Sequence, residues 1–341
     1  MVQPFVSICI PSYNRTTELN RLLLSVDCNP SNIEIVICED NSPRQYEIRE
    51  LVKNFTAKSV YRVRYIENRV NLGFDGNLRK LVDTAQGVYI VFMGDDDFFI
   101  PKKLDKFILF LKHNLDKAYV LRSHITEHSD GAIEYFRYLP KSQTFLPGEK
   151  TVAWLIKRSV SICGFTISRV KALKFKTQDL DGTLLYQVYL MAQVCLKYNS
   201  IYYNEPFVHN VHGCRNDNPM FGNSEFENAR YTPGTISENN SINFTKSYFE
   251  LTSYLDNKYG TNLTNLVLLD LSKYSYPILS IQRKRGIKNF LRYAKRLEKE
   301  VGLGFTVYYH LYKWGLVFLG EKVCDKIIIM IKRIVGHTPN F

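Results

Sequence analysis

Apolar runs and helically spaced apolar positions alternate along the first third of the chain. Val6–Ile10 is a short, largely β-branched run stopped by Pro11, which predicts a buried strand. Thr17–Val26 sets Leu19, Leu22, Leu23 and Val26 on one helical face. Ile33–Cys38 predicts a second strand, Tyr46–Phe55 a helix and Val63–Glu67 a third strand. Asn71–Thr84 opens in a glycine-containing turn and continues as a helix. Val88–Met93 predicts a fourth strand and Lys103–Lys112 another helix. Strands that are continuous apolar runs, each followed by a helix, predict a parallel sheet covered on both faces. The fold class is therefore α/β, doubly wound, over residues 1 to about 117.

The pattern then loosens. Trp154–Arg158 and Leu184–Lys197 predict helices, and Ile201–Tyr203 and Phe207–Val208 predict short strands. Val211–Asn223, with Gly213, Pro219 and Gly222, predicts a polar loop. From residue 241 onward the pattern is helical. Ile287–Val301 places Ile287, Phe290, Leu291, Ala294, Leu297 and Val301 on one face, with Lys288, Arg292, Lys295, Arg296 and Lys299 on the rest. Gly304–Gly320 is apolar and aromatic with only Lys313 charged, slightly short of the roughly 20 residues a spanning helix needs. Val323–Val335 is a second apolar stretch flanked by Lys322, Lys326, Lys332 and Arg333. The expected organisation is a catalytic unit over 1–240, in halves meeting near 117, followed by a basic helical region over 241–341.

Composition changes this picture in one respect. The chain has 341 residues, 45% hydrophobic and 23% charged, which excludes wholesale disorder. The net charge of +12 is unevenly placed: Ser241–Phe341 holds 16 basic and 7 acidic residues, +9, against 29 and 26, +3, before it. Basic amphipathic helices rich in aromatic residues suit an anionic membrane surface. The alternative is that the same apolar faces pack on the catalytic unit or on a second subunit, and an oligomer stays open. No nucleic-acid reader motif occurs, so nucleic acid is not an expected partner. Seven cysteines without a C-x-x-C pair read as free buried thiols, and the N-terminus does not read as a signal peptide. The expected location is cytoplasmic, peripheral on the inner face of the cell membrane.

Candidate chemistry falls at the strand ends, where open α/β sheets bind ligands. Asp95, Asp96 and Asp97 follow the fourth apolar run directly. Adjacent carboxylates repel, and a bound Mg²⁺ or Mn²⁺ relieves that repulsion; a solvated acidic turn is the plainer alternative. Asp40 ends the second run and either accepts from a base or ribose or caps the helix after Pro43. Pro11, Tyr13, Asn14 and Arg15 form a candidate base pocket in which Tyr13 stacks. Asn71 and Gly73 bring an amide and open backbone near a ligand, or simply make a tight turn. Neither a P-loop nor a G-x-G-x-x-G motif occurs, so ATP hydrolysis and nicotinamide binding lose their usual signals.

Four motifs in order, V-S-I-C-I-P-S-Y-N-R (6–15), I-V-I-C-E-D-N-S (35–42), N-x-G-F-x-G-N (71–77) and V-F-M-G-D-D-D-F-F-I-P (91–101), resemble the family 2 glycosyltransferases. The resemblance is good over about residues 5–125 and weaker to about 215. It implies a GT-A fold, a nucleotide-diphosphate sugar donor, a Mg²⁺ or Mn²⁺ ion and inverting transfer to a hydroxyl. The implied acceptor is a saccharide, lipid-linked as in relatives that build bacterial surface polysaccharides. It makes Asp96 the metal ligand, with Asp97 beside it, and Asp95 a neighbour of ribose or metal. Asp40 then matches the base-contacting aspartate, with Pro11 and Tyr13 lining the same pocket.

One departure stands out. The family's general base sits in an acidic E-D pair about 14 residues before a strand like Ile201–Tyr203, where this chain has Tyr186-Gln187. The nearest upstream carboxylates are Asp179 and Asp181; Asp181 is the expected base, unless it only caps the following helix. His209, His212, Cys214 and Arg215 cluster downstream with poor zinc spacing, and Arg215 is a candidate for the diphosphate. Two other readings remain open. One is a non-catalytic, membrane-associated scaffold or carbohydrate-binding protein with a transferase-like fold. The other is a sugar-1-phosphate nucleotidyltransferase, whose G-x-G-T-R-like loop Pro11–Arg15 does not match.

Overall fold

The computed structural model describes residues 3–128, 131, 133–211 and 221–335. The first elements follow the pattern closely: β1 (Val6–Ser12), α1 (Thr16–Leu24), β2 (Ile33–Glu39), α2 (Gln45–Lys58), β3 (Arg62–Glu67), α3 (Gly73–Thr84), β4 (Tyr89–Phe92), the short β5 (Phe98–Phe99) and α4 (Leu104–Lys112). The middle contains β6 (Tyr119–Arg122), β7 (His124–Glu127), β8 (Ile133–Phe136), β9 (Gln143–Phe145), α5 (Glu149–Ile156), β10 (Phe165–Ser168), α6 (Arg169–Leu173), α7 (Tyr186–Lys197), β11 (Ser200–Tyr203) and β12 (Val208–Val211). Helices finish the chain: α8 (Glu225–Asn228), α9 (Glu238–Tyr259), α10 (Leu263–Lys273), α11 (Tyr276–Arg283), α12 (Ile287–Arg296) with a π-helical turn over Leu297–Val301, α13 (Val307–Leu319) and α14 (Glu321–Val335).

The large sheet has the order β3-β2-β1-β4-β10-β6-β11-β9. β1 to β4 pair in parallel, as the continuous apolar runs require, and β10 enters antiparallel between β4 and β6. Alternation along the strands divides the core. Ile8, Ile10, Ile35 and Ile37 meet Leu19, Leu22 and Leu23 of α1 and Phe107 and Leu111 of α4 on one side. Cys9, Val36 and Cys38 meet Leu78, Leu81 and Val82 of α3 on the other, in a core that continues through α7 into Ile242, Leu263, Leu279 and Phe290. The hydrophobic core therefore does not divide at residue 240. A smaller sheet, β5-β12-β7-β8, flanks the ends of β4 and β6.

Two expectations need correction here. β1 does not stop at Pro11 but pairs with β2 through Ser12. The Cys9 carbonyl accepts from Met93 N, and the Ser12 carbonyl accepts from Asp40 N. Strand alternation therefore turns Pro11 toward β4, which has already ended opposite Cys9, so its missing N–H costs no ladder bond. The apolar face of α12 is largely covered by the protein itself: Phe290, Tyr293, Ala294 and Leu297 are buried, while Ile287 and Leu291 stay 38% and 39% exposed, and Arg292 and Arg296 pair with Glu238 of α9. Among the described residues no helix is long and apolar enough to cross a membrane.

Candidate active site

The turn leaving β1 closes onto the turn leaving β4. Asn14 adopts φ 63°, a left-handed conformation that asparagine tolerates. That bend lets Tyr13 N donate to Asp95 Oδ2 at 3.1 Å, and sets Arg15 Nη1 at 2.9 Å from both Asp95 Oδ1 and Asp96 Oδ2. Burial pushes the Asp95 carboxyl up and Arg15 pulls it back. Gly94 makes room for the acidic turn: a Cβ there would lie 2.8 Å from Asp97 Oδ2 and 2.9 Å from Asp96 Oδ1.

The three carboxylates are not equivalent. Asp95 spends both oxygens on Tyr13 and Arg15, and its side chain is 6% exposed. Asp97, expected as a second metal ligand, is buried and accepts from Asn210 Nδ2 at 2.9 Å and from Val211 N at 3.1 Å. Burial and then Asp96 push the Asp97 carboxyl upward. It fastens β12 to the acidic turn, which corrects its assignment as a ligand. Asp96, at 20% side-chain exposure, is the carboxylate that faces outward. Among the described residues no three His, Cys, Asp or Glu side chains form a metal cage. A Mg²⁺ ion usually takes one or two carboxylates and completes its shell from phosphates and water, and Asp96 fits that mode.

The end of β2 forms the second wall. Asp40 is buried, and its Oδ1 accepts from Asn68 Nδ2 at 2.7 Å and Leu72 N at 2.9 Å. Burial pushes its carboxyl up to about 6, against those hydrogen bonds. Asp40 does not cap α2. Glu39, which sequence reasoning passed over, accepts from Asn41 N, Ser42 N and Gln45 Nε2, each at 2.9 Å, and organises that turn. A glutamate closing the apolar run Ile35–Cys38, directly before Asp40, was the available signal. Asn71 accepts from Gly73 N at 2.9 Å and lies beside the Tyr13 phenol, whose burial raises it above its usual range. Pro11, Tyr13, Asn14, Arg15, Asp40, Asn71, Asp95 and Asp96 thus come together around one crevice.

Gly73 does need its glycine, at φ 74°, but for a protein contact. A Cβ would lie 2.4 Å from Ser224 Oγ and 2.8 Å from Glu227 Oε1. Glu227, also missed, is buried and accepts from Phe74 N at 2.7 Å and Gly222 N at 2.8 Å. Nothing in the local sequence marks it out.

Asp181 does not sit as a base. Its carboxylate is 3% exposed and gives both oxygens to Arg79 of α3, Nη2 at 2.7 Å. The start of α7 is held instead by Asp75, which accepts from Leu184 N at 2.8 Å and Tyr186 N at 2.9 Å. A carboxylate at a helix N-terminus stabilises the helix, and burial pushes Asp75 up to about 7. His209 stacks on Phe98 at 4.4 Å, and burial lowers its imidazole. His212, Cys214 and Arg215 lie outside the described residues. Ser12 Oγ, Asn14 Oδ1, Ser42 Oγ and Ser224 Oγ, at or beside these strand ends, are among the buried polar atoms without a hydrogen-bond partner among the described residues. Buried polar atoms are nearly always satisfied, and a ligand bound there would complete them.

Residues 7–175 match the model of glycosyl transferase family 2. The chain carries a family 2 glycosyltransferase domain. This domain is 29% identical over 118 residues to an uncharacterized glycosyltransferase, MJ1057, of Methanocaldococcus jannaschii, covering 34% of this chain and 40% of that protein. It is 28% identical over 126 residues to a GalNAc(5)-diNAcBac-PP-undecaprenol beta-1,3-glucosyltransferase of Campylobacter jejuni, covering 36% of this chain and 39% of the relative. The match thus spans about two fifths of each relative's length. The crystal structure of S. aureus TarS 1-349 in complex with UDP-GlcNAc shares the fold, with TM-score 0.51 and 12% identity over 97% of this chain and 92% of that one. The family 2 match runs from β1 through β10 and α6, taking in the strand-end residues of β1, β2 and β4, and residues 176–341 lie beyond it.

Proposed function

We propose that the protein transfers a sugar from a nucleotide-diphosphate sugar to a hydroxyl of a saccharide acceptor in cell-surface polysaccharide synthesis. The observation that carries this reading is the crevice at the ends of β1, β2 and β4. There Asp40 is buried at the end of β2 within reach of Tyr13, and Asp96, the least buried carboxylate at the end of β4, pairs with Arg15. Tyr13 and Pro11 take the base, Asp40 its edge or the ribose, and Asp96 the diphosphate side through Mg²⁺ or Mn²⁺, with Asp95 behind it. A divalent ion there would neutralise the charge that grows on the leaving diphosphate. Arg15 orients both carboxylates. One relative is named for an undecaprenol diphosphate-linked saccharide. A lipid-linked acceptor, met at an anionic membrane surface on the cytoplasmic side, follows for this chain by the same reading.

The test begins with binding. Thermal shifts with UDP, GDP, CDP and TDP, with and without Mn²⁺, should single out one nucleotide whose stabilisation needs the metal. Donor hydrolysis and transfer are then measured with that nucleotide's sugars. Metal-independent binding of every nucleotide, with no turnover, overturns the proposal and favours a non-catalytic scaffold.

A further inference from the structure

The C-terminal helices differ in what they do with their apolar faces. α13 is apolar on two opposite sides. Tyr309 and Leu316 are buried, while Val307, Leu311, Trp314 and Phe318 are 47–78% exposed. The second set is spaced 4, 3 and 4 residues, so it forms one stripe along the helix. α14 repeats the arrangement with Val323, Ile327, Met330 and Ile334, 39–77% exposed, at the same spacing, while Cys324 turns inward. A helix with apolar side chains all round is a buried or a membrane-contacting helix, and contiguous exposed apolar patches mark interaction surfaces.

Charge identifies the occupant. Lys322 and Lys326 are exposed beside the α14 stripe and take part in no ion pair among the described residues. The Arg283–Arg285 segment lies against the turn between the two helices: Arg283 Nε donates to the Leu316 carbonyl at 2.8 Å, and Lys284 Nζ is 3.0 Å from Glu321 Oε1. The nearby acids are already taken: Glu321 by Lys284, Asp325 by Tyr276, and Glu298 by Lys313. A second copy docked on this face would set lysines against lysines with no acid between them. An anionic bilayer accepts both the apolar stripe and its basic rim.

We infer that α13 and α14 lie in the interface of an anionic membrane, with Leu311, Trp314, Phe318, Ile327 and Ile334 inserted and Lys322 and Lys326 at the headgroups. The placement also fits the crevice. Lys332 of α14 pairs with Glu134 and lies 4.6 Å from the Phe136 ring, both on β8. β8 pairs with β7, β7 with β12, and β12 holds Asp97 through Asn210 and Val211. The docked helices thus adjoin the small sheet that borders the acidic turn. The purpose of the docking rests on the proposed transfer reaction, but its measurement does not.

The full-length protein is to be sedimented with phosphatidylcholine vesicles, with and without about one third phosphatidylglycerol. Binding should require the anionic lipid. Leu311→Glu, Phe318→Glu and Ile327→Glu should each weaken it by about tenfold or more, and Lys322→Ala with Lys326→Ala by about tenfold together. Val60→Glu, at an exposed apolar position of the loop before β3, should bind as wild type. Lipids brominated in their acyl chains should quench Trp314 fluorescence, and Trp314→Phe should abolish that quench. Asp96→Ala, inactive in transfer, should bind vesicles normally, so failure of the docking and failure of the transfer reading are told apart. Unchanged vesicle binding by the three glutamate variants overturns the inference. So does a dimer that Leu311→Glu dissociates while vesicle binding persists.

Discussion

At the ends of β1 and β4, Asp95 and Asp97 fold inward onto Tyr13, Arg15, Asn210 and Val211, while Asp96 pairs with Arg15 and keeps an outward side. On α12 Lys288 and Lys295, and in the turn after it Lys299, stand in solvent, while on α13 large apolar side chains do the same. The two regions place charge and apolar surface in opposite ways. In the first, each buried ion depends on a partner from another part of the chain, so its position is fixed by tertiary contacts. In the second, water satisfies the charges, and the positions are set by helix geometry alone. Precision suits a small ligand, and a repeated stripe suits an extended surface.

The comparison breaks most sharply at Asp96. Asp96→Ala should lower transfer by about 10³-fold, in the range of losing a main electrostatic contact to the leaving group. Its melting temperature should stay within a few degrees, because a partly exposed side chain contributes little to stability. Activity and melting curves together check this, and a variant with normal turnover would refute the assignment. Asp181→Asn tests the other kind of carboxylate. It should cost about 3 kcal/mol in urea unfolding, because the Arg79 charge loses its ionic partner in a largely buried site and keeps just the new amide oxygen and the Thr177 carbonyl, while donor affinity is retained. A loss of turnover without a loss of stability would restore Asp181 as the base.

Asp40 gives a pH signature. Its folded value, about 6, is above the unfolded carboxyl range, so the native state favours the protonated acid. Its contribution is fully present at low pH and is lost as pH rises from about 4 to about 6. Asp40→Asn keeps an acceptor for Asn68 and Leu72 but removes the charge. The stability difference between variant and wild type should therefore move in the variant's favour across that window, by up to about 3 kcal/mol. Chemical unfolding at closely spaced pH values measures it, and parallel curves would contradict the assignment. The smallest effect belongs to the exposed charges: Lys295→Ala on α12 should change stability by less than about 0.5 kcal/mol. A larger loss would mean that charge is structural in both regions.

Much of the first region was legible because its signals are local. β1 to β4 are apolar runs bounded by turns, and α1 and α4 carry clear three-and-four spacing, so their ends agree within one or two residues of the structure. The acidic turn and Asp40 could be picked out because carboxylates at apolar strand ends demand a reason. What the pattern could not show was which carboxylates the protein itself uses. Asp97 is claimed by Asn210, Asp181 by Arg79, and Phe74 N by Glu227, all from distant positions. The small sheet was also hidden, since β5 has two residues and β8 alternates exposed and half-buried positions. α9 buries Asn240, Thr245 and Thr252 beside Tyr248 and Leu251, so its inward face is too polar for hydropathy to outline. The basic tail was read as one surface because hydropathy does not distinguish a face covered by α9 from one left open.

Pro11 has a consequence for the crevice between β1 and β4. Any other amino acid there would present an amide hydrogen to the gap where β4 has run out, and an extended segment could lace onto it. The imino acid offers carbon instead. The seam between the two strands stays unlaced at the point where the sheet reverses its winding, and a flat aromatic base would meet a hydrocarbon surface rather than a competing donor.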